Sequence, residues 1–235
     1  MNAMTGMDRS NGDVVADETV RRLLCGVFDC SVELAGHILL RGKRREFHAR
    51  ATIVRQGERV STLYIVITGR AHAIVYSLEG QAVLLHEYSA GDCFGAVGPP
   101  SSGTLEADVV AVEAVCVFLL DSGVLALLAE QHGCIGLALL KIMVDRLQQT
   151  TTRMYQHIAL SAVGRVHAEL LRLARQGEDL TIRPAPVLSD LALHVSTSRE
   201  TASRAVNALE RRGIIRREPD RLVVVAPHRL EELVL

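Results

Sequence analysis

The spacing of apolar residues changes along the chain. A regular spacing first appears after about residue 18, and it has the period of a helix. Residues 1 to about 18 are polar and carry no periodicity, which predicts a flexible tail. Val20, Leu23 and Leu24 then follow a helical period. This pattern predicts helical structure from about residue 19 to 40.

The middle of the chain has the pattern of short strands. Five β-branched or aliphatic runs alternate with turn signals rich in glycine and acidic residues. These runs lie at 51–55, 63–68, 71–76, 82–88 and 109–119. Regular turn signals between short strands are typical of a β-sandwich or jelly roll, so the sequence predicts that architecture here.

The segment 133–158 predicts one long helix with two apolar faces. One face repeats at alternating spacings of three and four residues, as in the seam of a two-stranded coiled coil. It consists of Leu140, Met143, Leu147, Thr150, Met154 and His157. The other face, with Ile135, Leu139 and Ile142, is suited to pack on the sandwich. The pattern favours a helix that pairs two copies of the chain, and a helix buried within a monomer stays open.

The last third of the chain predicts a small helical module. Helical patterns occupy 161–176, 187–195 and 198–212, and a short apolar strand follows at 222–225. Three helices and a hairpin are typical of a winged helix-turn-helix. The predicted fold class is therefore α+β, with a sandwich, a long helix and a winged module.

The helix at 198–212 has one apolar and one polar face. On a helical wheel, Ala202, Ala205, Val206 and Leu209 share one arc. The opposite, outward arc contains Arg199, Glu200, Ser203, Arg204 and Asn207. Arginine can donate two hydrogen bonds to guanine, and glutamate can accept one from cytosine. This arc therefore predicts a helix that reads base edges in a DNA major groove.

Three hydroxyl side chains precede that helix, namely Ser196, Thr197 and Ser198. Hydroxyls and backbone N–H groups at a helix start can hold a phosphate. A simpler interpretation is a capping box, in which Thr197 caps the helix and Glu200 reaches back to its N–H. The sequence leaves both interpretations open.

The formal net charge of -1 hides an uneven distribution. Residues 1–159 sum to -3, residues 160–235 to +2, and residues 183–217 to +4. Of the 26 basic residues only two are lysines, so the positive charge is carried by arginine. A basic segment around the polar helix is what phosphate binding requires, so the total charge does not exclude DNA.

Several motifs together resemble one family. The run Ser198-Arg199-Glu200-Thr201 with Arg204, and then Gly213-Ile214-Ile215, resembles the recognition helix of the cyclic-AMP receptor protein and fumarate–nitrate reductase regulator (CRP/FNR) superfamily. The resemblance extends to the predicted strands through Gly57-Glu58, Leu63-Tyr64-Ile65-Val66, Gly69, Gly91-Asp92 and Phe94-Gly95. It also covers 158–166, which looks like the hinge and the first helix of the DNA-binding domain.

The resemblance implies a division of the chain and a function. The implied parts are a tail at 1–18, a β-roll effector domain at 19–130, a dimerisation helix at 131–158 and a winged helix-turn-helix at 159–235. The implied function is that of a bacterial-type transcriptional regulator, a homodimer joined through 133–158 that binds double-stranded DNA and RNA polymerase. Arg199, Glu200 and Arg204 match the family's base readers, which implies half-sites similar to TGTGA. Ser196 stands where the family often has glycine.

The positions of the family's effector pocket depart from its pattern. After Gly95 the chain has Ala96 where the family has a glutamate for the ribose, and Leu105-Glu106 where it has an arginine and a serine for the cyclic phosphate. Leucine offers no donor, a buried glutamate would repel the anion, and Pro99-Pro100 removes two N–H donors. Thr150 and Thr151 align with residues that contact adenine, or else they fix the register of the seam. We therefore expect no cyclic AMP in the usual mode and leave a different nucleotide-type effector, or none, open.

Other sensor chemistries and classes are weaker alternatives. Five scattered cysteines include only Cys25 and Cys30 near the N-terminus, which is short of the ligands of an iron–sulfur cluster. Cys93 and Cys116 lie in apolar runs and are expected to be core residues. No histidine arrangement singles out a haem, so no cofactor is assigned. A redox- or haem-sensing member, or a nucleotide-type module that acts through protein contacts, remains the alternative.

The sequence also predicts what the protein is not. None of the common nucleotide-binding, zinc-protease or serine-hydrolase motifs occurs, so we expect no enzyme activity. The most apolar stretch is interrupted by Glu130, His132 and Lys141, and the N-terminus has no apolar core of a signal peptide. A cytoplasmic protein with no membrane partner is expected.

Overall fold

The computed structural model of the chain describes residues 7–77, 80, 82–97 and 104–234. These residues divide into two compact units. The first contains residues up to 75 together with 85–145, and the second contains 76–84 together with 146–235. The first unit is a helix-flanked β-roll and the second is a winged helix-turn-helix, which confirms the α+β fold class.

The first unit begins with two helices where the sequence predicted a tail followed by a helical segment. Helix α1 spans Met7–Phe28 and helix α2 spans Val32–Leu39. Once the apolar part of α1 has formed on the core, extending it toward Met7 costs less than starting a new helix, and the tail prediction missed this. The break falls at Asp29, whose φ of +46° is left-handed and ends α1. The helical pattern over 19–40 is confirmed, and it is divided between two helices.

Eight strands form two antiparallel four-stranded sheets in the orders β1-β8-β3-β6 and β2-β7-β4-β5. The strands of the first sheet are β1 Lys43–Phe47, β3 Thr62–Thr68, β6 Cys93–Gly95 and β8 Val115–Asp121. Those of the second are β2 Thr52–Val54, β4 Ala71–Tyr76, β5 Ala82–Tyr88 and β7 Asp108–Ala111. The roll predicted from the turn pattern is confirmed.

Three details of the roll differ from the sequence prediction. The run predicted over 109–119 is two strands, β7 and β8, because the chain turns between Ala111 and Val115. Strand β1 was missed because four of its five residues are charged and exposed, although its backbone pairs with β8 from Lys43 opposite Leu119 onward. Strand β6 was missed because three residues are too few to show a period.

Two further helices follow the roll, α3 at Ser122–Gln131 and α4 at Gly133–Ala159. The second apolar face of α4 packs on the core of the first unit, with Ile135 fully buried and Leu139 and Ile142 partly buried, as predicted. Among the described helices none is by itself long and apolar enough to cross a membrane. The bent pair of α3 and α4, at 118°, meets that test only when the two are taken together.

The second unit has four helices and one small sheet besides the end of α4. Its helices are α5 Ala162–Gln176, α6 Leu188–His194, α7 Arg199–Arg211 and α8 Pro227–Glu232. The sheet has the order β10-β11-β9, with β9 Thr181–Ile182, β10 Ile215–Arg217 and β11 Leu222–Val224. The three predicted helices are confirmed within a residue or two, while α8 and β9 were not predicted because both are short.

Candidate nucleic-acid interface

The turn between α6 and α7 is made by a serine in a strained conformation. Ser196 has φ of +49°, in the left-handed region that glycine occupies at little cost. The turn is closed by backbone hydrogen bonds, in which the Ser196 N–H donates to Leu193 over 3.2 Å and the Thr197 N–H to Ala192 over 2.9 Å. The departure noted in the sequence therefore falls where the backbone requires a left-handed residue.

The side chain of Arg165, on α5, is hydrogen-bonded to the backbone of this turn. Its guanidinium donates from Nε to the Val195 carbonyl over 2.9 Å and from Nη2 to the Ser196 carbonyl over 3.1 Å. A third bond runs from Nη1 to the carbonyl of Leu160, just beyond the end of α4, over 3.2 Å. One rigid, always-charged fork thus satisfies three carbonyls that the chain leaves unpaired. This role was not predicted, because a lone arginine on a helix has no distinctive sequence pattern.

Helix α7 is capped by Ser198. The Thr201 N–H donates to the Ser198 Oγ over 3.1 Å, while the predicted capping box placed the cap at Thr197. Glu200 therefore occupies the second helical position and does not bond the Thr197 N–H. The pKa of Glu200 is lowered by its own backbone N–H, by the Ser198 hydroxyl and by the charges of Arg199 and Arg204. Glu200 is thus an exposed carboxylate at neutral pH and can accept hydrogen bonds.

The two faces of α7 lie as the helical wheel predicted. Ala202, Ala205, Val206 and Leu209 are buried in the core of the second unit. The opposite face exposes Arg199, Glu200 and Arg204, while Ser203 and Asn207 are half-buried. Burial of the small apolar residues fixes the helix, so the polar residues project from a rigid support.

The three candidate base readers differ in how far they are engaged. Arg199 makes no hydrogen bond or ion pair with any residue that the structure describes. Arg204 makes one long contact, from Nη2 to the Thr201 Oγ1 over 3.4 Å. Both guanidiniums therefore retain donors for an outside acceptor such as the edge of a guanine.

The wing, formed by β10 and β11, contributes a residue that was not predicted from the sequence. Arg217 of β10 donates from Nη2 to the Asn207 Oδ1 over 2.8 Å and from Nε to the Glu210 Oε2 over 2.9 Å. These contacts lower the pKa of Glu210 and raise that of Arg217. Asn207 therefore has one of its two acceptor lone pairs occupied, and the wing is hydrogen-bonded to the C-terminal half of α7.

Ion pairs reduce the basic charge predicted for 183–217. Arg183 pairs with Asp220 at 3.3 Å, Arg216 with Glu218 at 3.2 Å, and Arg217 with Glu210. The free positive charge of this segment is carried chiefly by the exposed arginines of α7 and its end, which are Arg199, Arg204, Arg211 and Arg212.

In the roll, the predicted pocket positions around β6 are used by the roll itself. Gly95 has φ of +98°, and a Cβ there would lie 2.3 Å from the Thr62 carbonyl oxygen. The Ala96 N–H donates to that same oxygen over 2.9 Å. These two positions therefore close a strand pair, and Pro99-Pro100 lies outside the described residues.

The remaining pocket positions of the roll lie before β7. Leu105 packs against the apolar core, and its N–H donates to the Glu58 carbonyl over 3.1 Å. Glu106 is exposed, so the repulsion expected from a buried glutamate does not arise. The Leu105 side chain still supplies no hydrogen-bond donor for an anion.

The two threonines predicted for the pocket lie in the second unit. Both are exposed on α4, and their hydroxyls donate back to the helix, Thr150 to Arg146 and Thr151 to Leu147, each over 2.9 Å. Such back-bonding satisfies a threonine hydroxyl within its own helix. Each unit thus holds part of the predicted pocket, and within each the residues bond to their own unit.

Comparison with known proteins places both units. Residues 44–132 match the family described as the cyclic nucleotide-binding domain, and residues 164–233 match the Crp-like helix-turn-helix domain. The cAMP-activated global transcriptional regulator Vfr of Pseudomonas aeruginosa is 26% identical over 189 residues, covering 77% of this chain and 88% of that protein. The cAMP-activated global transcriptional regulator CRP of Salmonella typhimurium is 26% identical over 184 residues, covering 76% and 88%.

A solved structure shares the fold at lower identity. A mutant of CooA from Carboxydothermus hydrogenoformans superposes with a TM-score of 0.77 at 18% identity, covering 90% of this chain and 95% of that one. The order of the matched domains, a nucleotide-binding roll followed by a Crp-like helix-turn-helix, agrees with the two units. The chain belongs to the CRP/FNR superfamily of DNA-binding transcription factors.

Proposed function

We propose that this regulator is a homodimer that recognises palindromes of TGTGA-like half-sites through Arg199, Glu200 and Arg204. The observation that carries the proposal is the outward face of α7, where two arginines and a carboxylate are exposed on a helix whose other face is buried. Arginine donors suit guanine and the carboxylate suits the amino group of cytosine. Ser196, Thr197 and Ser198 at the helix start supply phosphate contacts that set the register, and Ser203 and Asn207 flank the readers.

Fluorescence anisotropy with a labelled duplex tests this proposal. The duplex carries two inverted TGTGA half-sites about one helical turn apart, and a scrambled duplex of equal length and composition is the control. Both are titrated at fixed salt, alone and with cyclic AMP, cyclic GMP or cyclic di-GMP. The palindrome should bind at least about 1,000-fold more tightly in one of these conditions. Equal affinity in all of them contradicts the proposal and favours a module that acts through protein contacts.

The homodimer is supported by the first apolar face of α4. Leu140, Leu147 and Met154, each seven residues from the next, are 59%, 68% and 59% exposed in the single chain. Met143, Thr150 and His157 complete this face. Apolar side chains at heptad spacing are stabilised when a second helix covers them. The face therefore fits a second copy of the chain.

Replacing Leu147 by glutamate tests the dimer. A charge placed in the seam faces its own copy across the two-fold axis, so both burial and repulsion oppose pairing. We expect sedimentation equilibrium to show a dimer for the unaltered protein and a monomer for Leu147→Glu. The exposed Lys141, which lies off the seam, provides the control Lys141→Glu, expected to remain a dimer. If the unaltered protein is a monomer at micromolar concentration, α4 does not join two copies of the chain and the homodimer proposal is refuted.

We also propose that the effector, if one exists, is a small molecule other than cyclic AMP in its usual mode. Vfr and CRP are cAMP-activated by name, but here Leu105 replaces a donor and the Ala96 N–H is already bonded. Gly95 and the exposed Glu106 add no cationic group, and the hydroxyls of Thr150 and Thr151 bond to their own helix. We further expect RNA polymerase as a partner, a cytoplasmic location and no enzyme activity, in keeping with a family of transcription regulators.

A further inference from the structure

Arg217 reaches helix α7 because of the way strand β10 faces. Side chains alternate along a strand, so Ile215 and Arg217 lie on one face of β10 and Arg216 lies on the other. Ile215 is buried in the core of the second unit. Arg217 therefore shares the face that packs toward α7, whereas Arg216 bonds to Glu218, two residues further along the wing.

The Arg217 guanidinium bonds two residues of α7 at once. Asn207 and Glu210 are three positions apart, so they are neighbours on the helix surface. Nη2 carries two hydrogens, and it donates to the Asn207 Oδ1 over 2.8 Å and to the Glu210 Oε2. Nε donates to the same Glu210 oxygen over 2.9 Å. The ion pair with Glu210 thus fixes the guanidinium beside Asn207.

This contact determines which way the Asn207 amide faces. A guanidinium has donors and no acceptor, so the amide atom that lies 2.8 Å from it is the oxygen. The amide nitrogen, with its two N–H donors, is therefore turned away from the wing arginine. Asn207 is half-buried on the outward face of α7, one turn beyond Arg204. The donors of the amide thus belong to the same face as the base readers.

We propose that Arg217 is a positioning residue for base recognition, which holds the Asn207 amide with its N–H donors toward the DNA. This role rests on the proposed recognition of DNA through α7. Donors suit guanine, whose major-groove edge presents two acceptors. The bidentate pairing of asparagine with adenine needs the oxygen and the nitrogen to face the base together, which the bond to Arg217 opposes. The protein is therefore expected to prefer guanine over adenine at the base pair that Asn207 faces.

The pairing with Glu210 separates this role from phosphate binding. The hydrogen bond from Arg217 lowers the pKa of Glu210, and the same bond raises the pKa of Arg217, so both groups are ionised at neutral pH. The charge of Arg217 is thereby balanced within the protein. Phosphate contacts depend on unbalanced positive charge and strengthen binding to every sequence. Loss of Arg217 should therefore alter the choice of base and not only the affinity.

The first experiment lets the protein choose its own site. The unaltered full-length protein, Arg217→Ala and Arg216→Ala each select duplexes from a random pool, under the condition that gave the tightest binding in the anisotropy titrations. Arg216→Ala removes an equal charge from the opposite face of β10 and is the matched control.

The unaltered protein and Arg216→Ala should enrich the same site. Arg217→Ala should lose about fivefold or more of the guanine-over-adenine preference at one position in each half-site, which is the lower end of what one base contact contributes. One enriched site with identical preferences in all three proteins overturns the positioning role and leaves the proposed function standing. If the unaltered protein enriches no site, the proposed function is refuted, and the role of Arg217 with it.

The second experiment asks whether Arg217 acts through Asn207. Anisotropy gives the ratio of affinities for two duplexes that differ only in guanine or adenine at that position, for Arg217→Ala, Asn207→Ala and the double variant. Arg217 is exposed and Asn207 half-buried, so these changes leave the apolar core intact. Arg217→Ala should change the ratio about fivefold when Asn207 is present and leave it unchanged in the Asn207→Ala background. An equal change in both backgrounds would show that Arg217 does not act through Asn207 and would overturn the proposal.

Discussion

The outward face of α7 follows from helical spacing and matches the family, whereas the pocket positions of the roll come from the resemblance alone. The two regions also differ in which of their polar groups are free to bind a ligand. On α7, Arg199 and Glu200 are exposed, and Arg199 makes no hydrogen bond or ion pair with a described residue. In the roll, the Ala96 N–H and the Leu105 N–H are already bonded to carbonyls of neighbouring segments. A matched position is therefore informative about binding only where its polar groups are free to bind.

This difference separates recognition of DNA from recognition of an effector. A surface that reads DNA needs side chains held rigidly with unused donors, and the buried face of α7 provides that support. A pocket for a cyclic phosphate needs inward donors that no other group occupies. The exposed face of α7 has donors free for DNA, whereas the N–H groups at the pocket positions of the roll are bonded to neighbouring segments of the roll.

The largest expected effect is a loss of stability in the second unit, which carries α7, while the roll is left unchanged. Arg165→Ala removes three hydrogen bonds from the carbonyls of Leu160, Val195 and Ser196. Each unsatisfied carbonyl costs about 1–3 kcal/mol, so we expect the second unit to lose about 3 kcal/mol or more in urea unfolding followed by circular dichroism. Arg172→Ala, which removes an exposed pair with Glu169, should cost less than about 1 kcal/mol. Equal losses for the two variants would show that Arg165 does not hold the turn.

A smaller effect would test the readers individually. Arg199→Ala and Arg204→Ala should each reduce discrimination between the TGTGA duplex and its scrambled control by about 1–3 kcal/mol. Arg229→Ala removes an equal charge from an exposed position of α8 and should leave discrimination unchanged. Arg216→Ala should weaken both duplexes alike if it contacts phosphate. A uniform loss for Arg199→Ala would assign it to the phosphates and remove it from the base readers.

The strained turn should respond more weakly. Ser196→Gly removes the left-handed strain of a side chain at φ of +49° while adding freedom to the unfolded chain. We expect a net stabilisation of about 0.5 kcal/mol, read from the urea midpoint, with unchanged discrimination between duplexes. Gly213→Ala, at φ of +66°, is the opposite change and should destabilise the same unit. Loss of stability in Ser196→Gly would mean that the serine side chain contributes to the turn.

The smallest expected effect is none, and it concerns the roll. Cyclic AMP at millimolar concentration should leave the melting temperature unchanged, because Leu105 and the bonded Ala96 N–H offer the phosphate nothing. A ligand present at 100 times its Kd would add about 2.7 kcal/mol of stability. Differential scanning calorimetry resolves such a shift. A clear increase in melting temperature would show that the roll binds cyclic AMP despite these departures.

The sequence predicted periodic elements well and irregular contacts poorly. The arc of Ala202, Ala205, Val206 and Leu209 followed from helical spacing alone, since burial repeats with the turn of the helix. The cap shifted from Thr197 to Ser198 because either hydroxyl can serve and only the backbone decides. The roles of Arg165 and Arg217 depend on residues about 30 and 10 positions away along the chain, and no local pattern records them.

In the roll, too, some elements could not be predicted from local sequence pattern. Turn signals located most strands, but charge concealed β1 and shortness concealed β6. The cysteines are another example, because Cys30 and Cys134 pack against the same apolar core although they are more than 100 residues apart in the chain. Long-range proximity follows from the packing of the core and cannot be derived from spacing.

Strand β1 has a consequence for how copies of this protein meet. It is an edge of its sheet, and its exposed run of Lys43, Arg44, Arg45 and Glu46 places charge along the open hydrogen-bonding row. A strand from another molecule that tried to extend the sheet would have to desolvate those charges, which is how natural edges resist aggregation. The charged side chains that prevented the strand from being predicted therefore also disfavour pairing of this sheet edge with a strand of another molecule.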